Sequence, residues 1–194
     1  LLVLTLAAAW VAMHDLGFIP DRQTRPLAAV RLVLAGSVDA GLRNRPMRWL
    51  MLAATFSSGT GIYVFYALQP YLLGLYGDPG AYSIAGLAAA LVAGAQWVGG
   101  LLAARVARLF RRRTDAMILG AIAGVALLLG LGLARSFTMA VVMISAWALV
   151  GALTSPIRQA LVNGLVPSAQ RATVPSFDSL MGSAAGVATP PAWA

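Results

Sequence analysis

Long apolar runs broken by short polar gaps dominate this sequence. A helix needs roughly 20 apolar residues to cross a hydrocarbon layer of about 30 Å, and five windows reach or approach that length: residues 49–75, 82–104, 116–134, 137–157 and 174–194. A further stretch, residues 1–13, is too short to cross and has no basic residue ahead of it, so it makes a poor signal peptide. It reads as the end of a truncated transmembrane helix, and the window at 174–194 reads as a second span cut short. Between the first stretch and the first full window lies a connection too long for a turn. Within it Pro26, then Leu27, Val30, Leu32, Val33, Leu34 and Val38 with Arg31 and Asp39 between them, predict a short amphipathic helix lying along the membrane surface. The expected organisation is therefore a residual span at 1–13, a cytoplasmic loop with a surface helix at 14–48, and a transmembrane helix bundle at 49–194.

Composition agrees with this pattern. Apolar residues make up 60% of the chain and charged residues 10%, against about a quarter charged in a soluble domain. Too few polar side chains remain to cover a water-facing surface. The chain has no cysteine, which removes disulfides, thiolate catalysis and cysteine-bound metals.

Charge orients the runs. The net charge is +8, and all 14 basic residues are arginines. Six fall in 14–48, five in 105–115, and Arg158 and Arg171 follow the fourth window. The intervening gaps hold Asp78, Pro79 and Gly80 in one case and Arg135 with Ser136 in the other, and both read as tight turns. Basic residues concentrate in cytoplasmic loops, so the arginine-rich connections are expected in the cytoplasm and the two tight turns on the far side. These arginines flank apolar spans, which makes membrane lipids their expected partner and argues against nucleic acid.

Candidate chemistry is sparse. His14 is the sole histidine and lies in a loop, and no phosphate-cradling glycine loop ending in Lys-Ser or Lys-Thr is present. An enzyme is not expected, and no cofactor or metal is implied. The window at 49–75 carries an unusual polar load: Thr55, Ser57, Ser58, Thr60, Tyr63, Tyr66 and Gln69, with Gly59 and Gly61 at its centre and Pro70 near its end. Polar groups in hydrocarbon need partners, so such a face lines a cavity or another helix. For residues 57–61 two readings stand side by side: local unwinding that exposes backbone to a ligand, or close packing with hydroxyls bonded to their own helix. Tyr63, Tyr66 and Gln69 are too large for a tight helix contact and point to a cavity. Gln96, beside Trp97, is either an interhelical hydrogen bond or a ligand contact. Gly120 with Gly124 and Gly182 with Gly186 have the spacing for close helix approach.

At the cytoplasmic edge, Arg111, Arg112 and Arg113 read as an orientation signal, whereas Arg105 and Arg108 lie nearer the apolar core, where a conformation-dependent contact is open to them. Asp178 is the one acid placed near the membrane interior. Two roles are open to it: favouring the positive end of its helix dipole, or pairing with Arg158 in a contact that breaks and reforms.

These residues resemble the C-terminal half of a major facilitator superfamily transporter, from late in its sixth span to within its eleventh. The long central loop, the Gln69-Pro70-Tyr71 end of the first full window and the basic loop at 105–113 match that order. The stretch 100–108 resembles the family's cytoplasmic loop motif in degraded form, with Ala104 in place of aspartate and Ala107 in place of glycine. The stretch 158–179, with Arg158, Asn163, Pro167, Arg171, Thr173, Ser176 and Asp178, is similar to the tenth-to-eleventh span junction of bacterial drug-efflux members; Pro175 departs from the apolar residue usual there. The resemblance implies an all-α polytopic transmembrane bundle, a C-terminal six-helix half truncated at both ends, in a bacterial inner membrane. It further implies alternating access against an N-terminal half and export of a small-molecule substrate, organic or amphipathic in character. Tyr63, Tyr66, Gln69 and Gln96 are then the expected substrate contacts, and Arg105, Arg108, Arg158, Asn163, Arg171 and Asp178 the expected cytoplasmic gate. This half alone, if it is the whole polypeptide, is not expected to transport. The rival expectation is a non-transporting membrane scaffold or assembly subunit, whose helices would enclose no polar cavity.

Overall fold

The computed structural model describes residues 43–166 and 173–188, together with residues 3, 5, 10, 35 and 36. The chain divides into two units, Leu1–Ala35 and Gly36–Ala194, and among its described residues the second holds five helices. These are α1 (Arg45–Tyr76), α2 (Tyr82–Leu109), α3 (Arg113–Gly132), α4 (Phe137–Leu165) and α5 (Thr173–Ala188). The first four are long and apolar enough to cross a membrane. Among the described residues there is no strand, so the chain is an all-helical membrane protein with four candidate spans. The expected surface helix after Pro26, most of the 1–13 stretch and Arg171 lie outside the described residues.

Each of the four windows from 49–75 to 137–157 becomes a helix, and α1, α2 and α4 overrun theirs. The apolar pattern stops where charge begins, but a charged residue ends burial rather than helicity. Thus α2 carries Arg105 and Arg108 in its last turns, and α4 continues through Pro156 to Leu165. Pro46 lies in the first turn of α1, where a missing N–H leaves no hydrogen bond unmade. At 20 residues α3 is about 30 Å long and barely spans; α1, α2 and α4 extend beyond the hydrocarbon. The window expected at 174–194 is a helix over Thr173–Ala188, 16 residues or about 24 Å; residues 189–194 are outside the described set.

The turns have identifiable causes. Gly77 ends α1 at φ 87°, a left-handed backbone that glycine adopts without a Cβ penalty, and its N–H donates to the Leu73 carbonyl at 3.0 Å. The Asp78 carboxylate accepts from the Gly80 N–H at 2.8 Å, closing the next bend. Ser136 caps α4 by accepting from the Met139 N–H at 3.3 Å.

Contacts between elements sort the helix termini into two ends. At one end Tyr76 meets Phe137 edge-on at 5.4 Å, and the Tyr71 hydroxyl donates to the carbonyls of Leu131 at 2.7 Å and Ala134 at 3.3 Å. Leu72, Ala88, Leu131, Ala134, Ala140, Val141 and Ile144 form the apolar cluster around them. At the other end Met47 and Met51 pack on Val162 and Val166, and Arg113 donates to the Ala160 carbonyl at 3.1 Å. That second end gathers the start of α1, the start of α3 and the end of α4, and with them Arg45, Arg48, Arg111, Arg112, Arg113 and Arg158. Asp78 and Arg135 sit in the turns of the first end. The described arginines are therefore segregated largely to one end of the bundle, the pattern that the positive-inside rule describes. Arg48 also lies 6.0 Å from the Trp49 ring centroid, and Trp49 is exposed, as an interfacial aromatic should be.

Helix α4 is central, packing most extensively on α2 and on α3, while α1 packs chiefly on α5. Its contacts rely on small residues, which let backbones close where hydrocarbon supplies no hydrophobic drive. A Cβ built on Gly99 would stand 2.7 Å from the Leu149 carbonyl oxygen and 2.9 Å from Ala152 Cβ; one on Gly120 would clash with the Thr154 methyl. The outward faces are apolar: Leu91 and Leu101 on α2, and Ile118, Ile122, Val125 and Leu129 on α3, are all more than half exposed. In water that surface would drive aggregation; in lipid it is matched.

Gly99→Val is expected to lower the apparent thermal midpoint in detergent micelles by the equivalent of about 1–3 kcal/mol, through overpacking against the α4 backbone. Gly100→Val, where a Cβ meets nothing within 4 Å, is expected to leave it within about 0.5 kcal/mol. Equal losses at both positions would contradict the α2–α4 packing.

Candidate functional site

The polar load of α1 divides into two groups. The Thr55 hydroxyl donates to the Met51 carbonyl at 2.9 Å, Ser57 to Ala54 at 3.1 Å and Thr60 to Phe56 at 3.0 Å. These hydroxyls are satisfied within their own helix, and α1 is continuous through residues 57–61. Close packing is thus what the structure contains at this run, and local unwinding is not. Gly59 is buried, and a Cβ on Gly61 would lie 3.9 Å from the Trp147 ring.

Ser58 belongs to the second group. A cleft of about 680 Å³ opens between α1, α4 and α5, with Ser58, Ile62, Phe65 and Tyr66 on one wall and Arg158, Asp178, Ser179 and Ser183 on the other. Ser58 and Gly182 mark where α1 and α5 touch: a Cβ on Gly182 would stand 3.0 Å from the Ser58 hydroxyl oxygen. Phe65 and Tyr66 stack edge to face, ring centroids 5.5 Å apart. One turn beyond, Pro70 has no N–H to offer the Tyr66 carbonyl.

The charged feature of the cleft is an ion pair. Arg158 Nη2 lies 2.7 Å from Asp178 Oδ1, with the side chains 25% and 13% exposed. The same nitrogen lies 3.5 Å from the Leu50 carbonyl oxygen, so one guanidinium touches α1, α4 and α5. Asp178 is the sixth residue of α5, beyond the first turn, which contains no acid. The dipole role open to Asp178 in the sequence is therefore not the one its position favours, because dipole stabilisation fades within that turn. Either partner alone would be a poorly solvated charge; together they form a neutral unit that the low-dielectric interior tolerates.

The other sequence candidates are placed as follows. Tyr66 lines the cleft. Tyr63 and Gln69 are exposed on α1 and are not among the lining residues. Gln96 is exposed on α2, a helix that contributes nothing to the cleft lining. Arg105 and Arg108 are exposed in the last turns of α2, and Asn163 is exposed on α4 five residues past Arg158; none lines the cleft. Arg171 is outside the described residues. Phe65 and Ser183 join the lining without having been singled out by sequence. Phe65 looks like any apolar residue of a span, whereas Ser183 carried a signal, lying four residues after Ser179 on the same helix face. Tyr71, which ties α1 to the end of α3, was visible only as part of a motif.

A second cavity, about 440 Å³, lies between α1, α3 and α4. Small and apolar residues dominate it, and Arg158 is its one charged member. The first cleft is the better candidate because both members of the ion pair line it, whereas of the two only Arg158 lines the second. Chemically it can hold a polar or charged group against a guanidinium, a carboxylate and hydroxyls, with an aromatic wall for an apolar body. No family model matches the chain, and neither a curated protein nor a solved structure matches it.

If Arg158 and Asp178 act as a unit, single changes should cost more than their combination. A cycle of Arg158→Gln, Asp178→Asn and the double variant, read by unfolding in micelles, is expected to give a coupling of roughly 0.5–3 kcal/mol. Strict additivity would mean the pair carries no mutual stabilisation.

Proposed function

We propose that this chain is the moving half of a secondary active transporter of the major facilitator type, with the cleft between α1, α4 and α5 forming part of its substrate path. The substrates proposed are small organic or amphipathic compounds exported across a bacterial inner membrane. The carrying observation is the Arg158–Asp178 pair set in a polar cleft of an otherwise apolar bundle. A bundle that serves only to pack against neighbours gains nothing from a charged, part-hydrated cleft, because every polar group taken into a membrane must be compensated.

The pair also supplies a gate. It joins α4 to α5 near the arginine-rich end, and both side chains are partly accessible, so water can take over each charge when the pair opens. Breaking it would release α5 from α4 and leave the α1–α5 contact at Ser58 and Gly182 free to shift. Alternating access then consists of rocking this bundle against a second one around a fixed site, with the pair closed in one state and open in the other. Arg105, Arg108, Asn163 and Arg171 are proposed to act with it at the cytoplasmic face, and Tyr63, Gln69 and Gln96 to meet substrate together with Tyr66 once the second bundle is in place.

The rival reading is a scaffold that holds other membrane proteins. The chain contains no cysteine, so a single introduced thiol reports cleanly. In sealed membrane vesicles, Tyr66→Cys is expected to react with a water-soluble maleimide, while Leu119→Cys on the exposed face of α3 stays unreactive. Complete protection of Tyr66→Cys would favour the scaffold.

A further inference from the structure

Among the described residues the ion pair is only half used, and this points to the kind of molecule the cleft takes. A guanidinium offers five N–H donors in a planar fork, yet Arg158 makes both of its contacts through Nη2. Among the described residues its Nε and Nη1 have no hydrogen-bond partner. Asp178 is engaged through Oδ1, and its Oδ2 has none among the described residues. The Ser58 hydroxyl, on the facing wall, is likewise without a partner there, whereas the Ser183 hydroxyl is taken up by the Ser179 carbonyl at 3.0 Å.

Charge balance then narrows the ligand. The pair is neutral, so a singly charged ligand would leave one net charge in a site flanked by hydrocarbon, where such a charge is costly. A molecule carrying both an anion and a cation adds no net charge and satisfies both free edges. Polarity along the cleft narrows it further. The α1 wall runs from Ala54 to Tyr66, twelve residues or about 18 Å. Arg158 lies at the Leu50 end of that wall, and Phe65 and Tyr66 form the other. Charge is therefore at one end and aromatic surface at the other, and the volume of about 680 Å³ suits a small-molecule ligand.

We infer that the cleft binds an amphipathic zwitterion, its anionic group on the edge of Arg158 that has no partner among the described residues, its ammonium on Asp178 and its apolar body extending from the pair along the cleft towards Ile62, Phe65 and Tyr66. This rests on reading the cleft as a ligand site. An amino acid with a large apolar side chain has this chemistry, and so does a phosphatidylethanolamine headgroup on its lipid.

The test is equilibrium binding to the full chain in detergent micelles, using L-tryptophan, N-acetyl-L-tryptophan, which keeps only the anion, and L-tryptophan amide, which keeps only the cation. The zwitterion is expected to bind about tenfold or more tightly than either analogue, a difference of about 1.4 kcal/mol. Arg158→Gln should shift the preference towards the amide and Asp178→Asn towards the acetyl compound. These opposite shifts are ratios within one variant, and the wild-type panel needs no variant to fold. Displacement of tryptophan by a short-chain phosphatidylethanolamine, and not by the matching phosphatidylglycerol, would keep the inference and place the ligand in the bilayer. Equal or tighter binding of a singly charged analogue, or no binding of either zwitterion, would overturn it. Zwitterion binding with a Tyr66→Cys position sealed from water would uphold this inference while removing the transport reading; a wet Tyr66→Cys position without zwitterion preference would do the reverse.

Discussion

Hydrocarbon offers no hydrogen bonds, and most of this structure answers to that constraint. A backbone crossing lipid must satisfy its own N–H and C=O groups, which selects helices. Several hydroxyls within the spans follow the same rule: Thr55, Ser57, Thr60 and Thr154 donate to carbonyls of their own helices, and Tyr71 reaches across to the end of α3; the buried Ser145 hydroxyl, without a partner among the described residues, is an exception. Charges obey it by leaving. Most arginines of the described region collect at one end of the bundle and Arg135 sits in a turn at the other; Asp115 stays in the exposed first turn of α3, and Asp178, further inside its helix, meets Arg158.

The same constraint gives the pair its weight in the proposed function. Away from water an opposite charge at 2.7 Å holds strongly, and each partner alone is penalised. Where such a site is part-hydrated, the penalty on the open state shrinks and two arrangements come within reach of one another. On the proposed reading the pair is a bistable contact, which a ligand can bias provided that it interacts differently with the open and closed forms. The rest of the bundle contributes stiffness. Close approaches at Gly99 and Gly120 fix α4 against α2 and α3, and the approach of Gly182 to Ser58 sets α5 against α1 in the same way.

Much of the fold was legible because membrane spans are written in a coarse alphabet. Windows of apolar residues located α1 to α4, and the Asp78-Pro79-Gly80 and Arg135-Ser136 gaps located the turns between them. Helix ends were less legible, since α2 runs on through Arg105 and Arg108 and α4 through Pro156 to Leu165, and composition marks the edge of the lipid rather than the end of the helix. Of the site, Tyr66, Arg158 and Asp178 could be found because large or charged residues inside spans are anomalies. Ser183, Phe65 and the reach of Tyr71 could not be ranked, because membership of a cleft depends on which helices become neighbours. Gln96 shows the converse: polar enough to be noticed, it stands on α2, away from the cleft.

The central claim is that the basic and the turn-bearing ends of this bundle face opposite sides of a membrane. Recognition sites for a sequence-specific protease, inserted singly after Arg112 and after Gly80, test it directly in sealed vesicles whose cytoplasmic face is outward. Cleavage after Arg112 with protection after Gly80, and cleavage of both once detergent opens the vesicles, is the predicted outcome. Cleavage of both sites, or of neither, in the sealed vesicles would contradict the threading of the chain and with it the placement of the cleft.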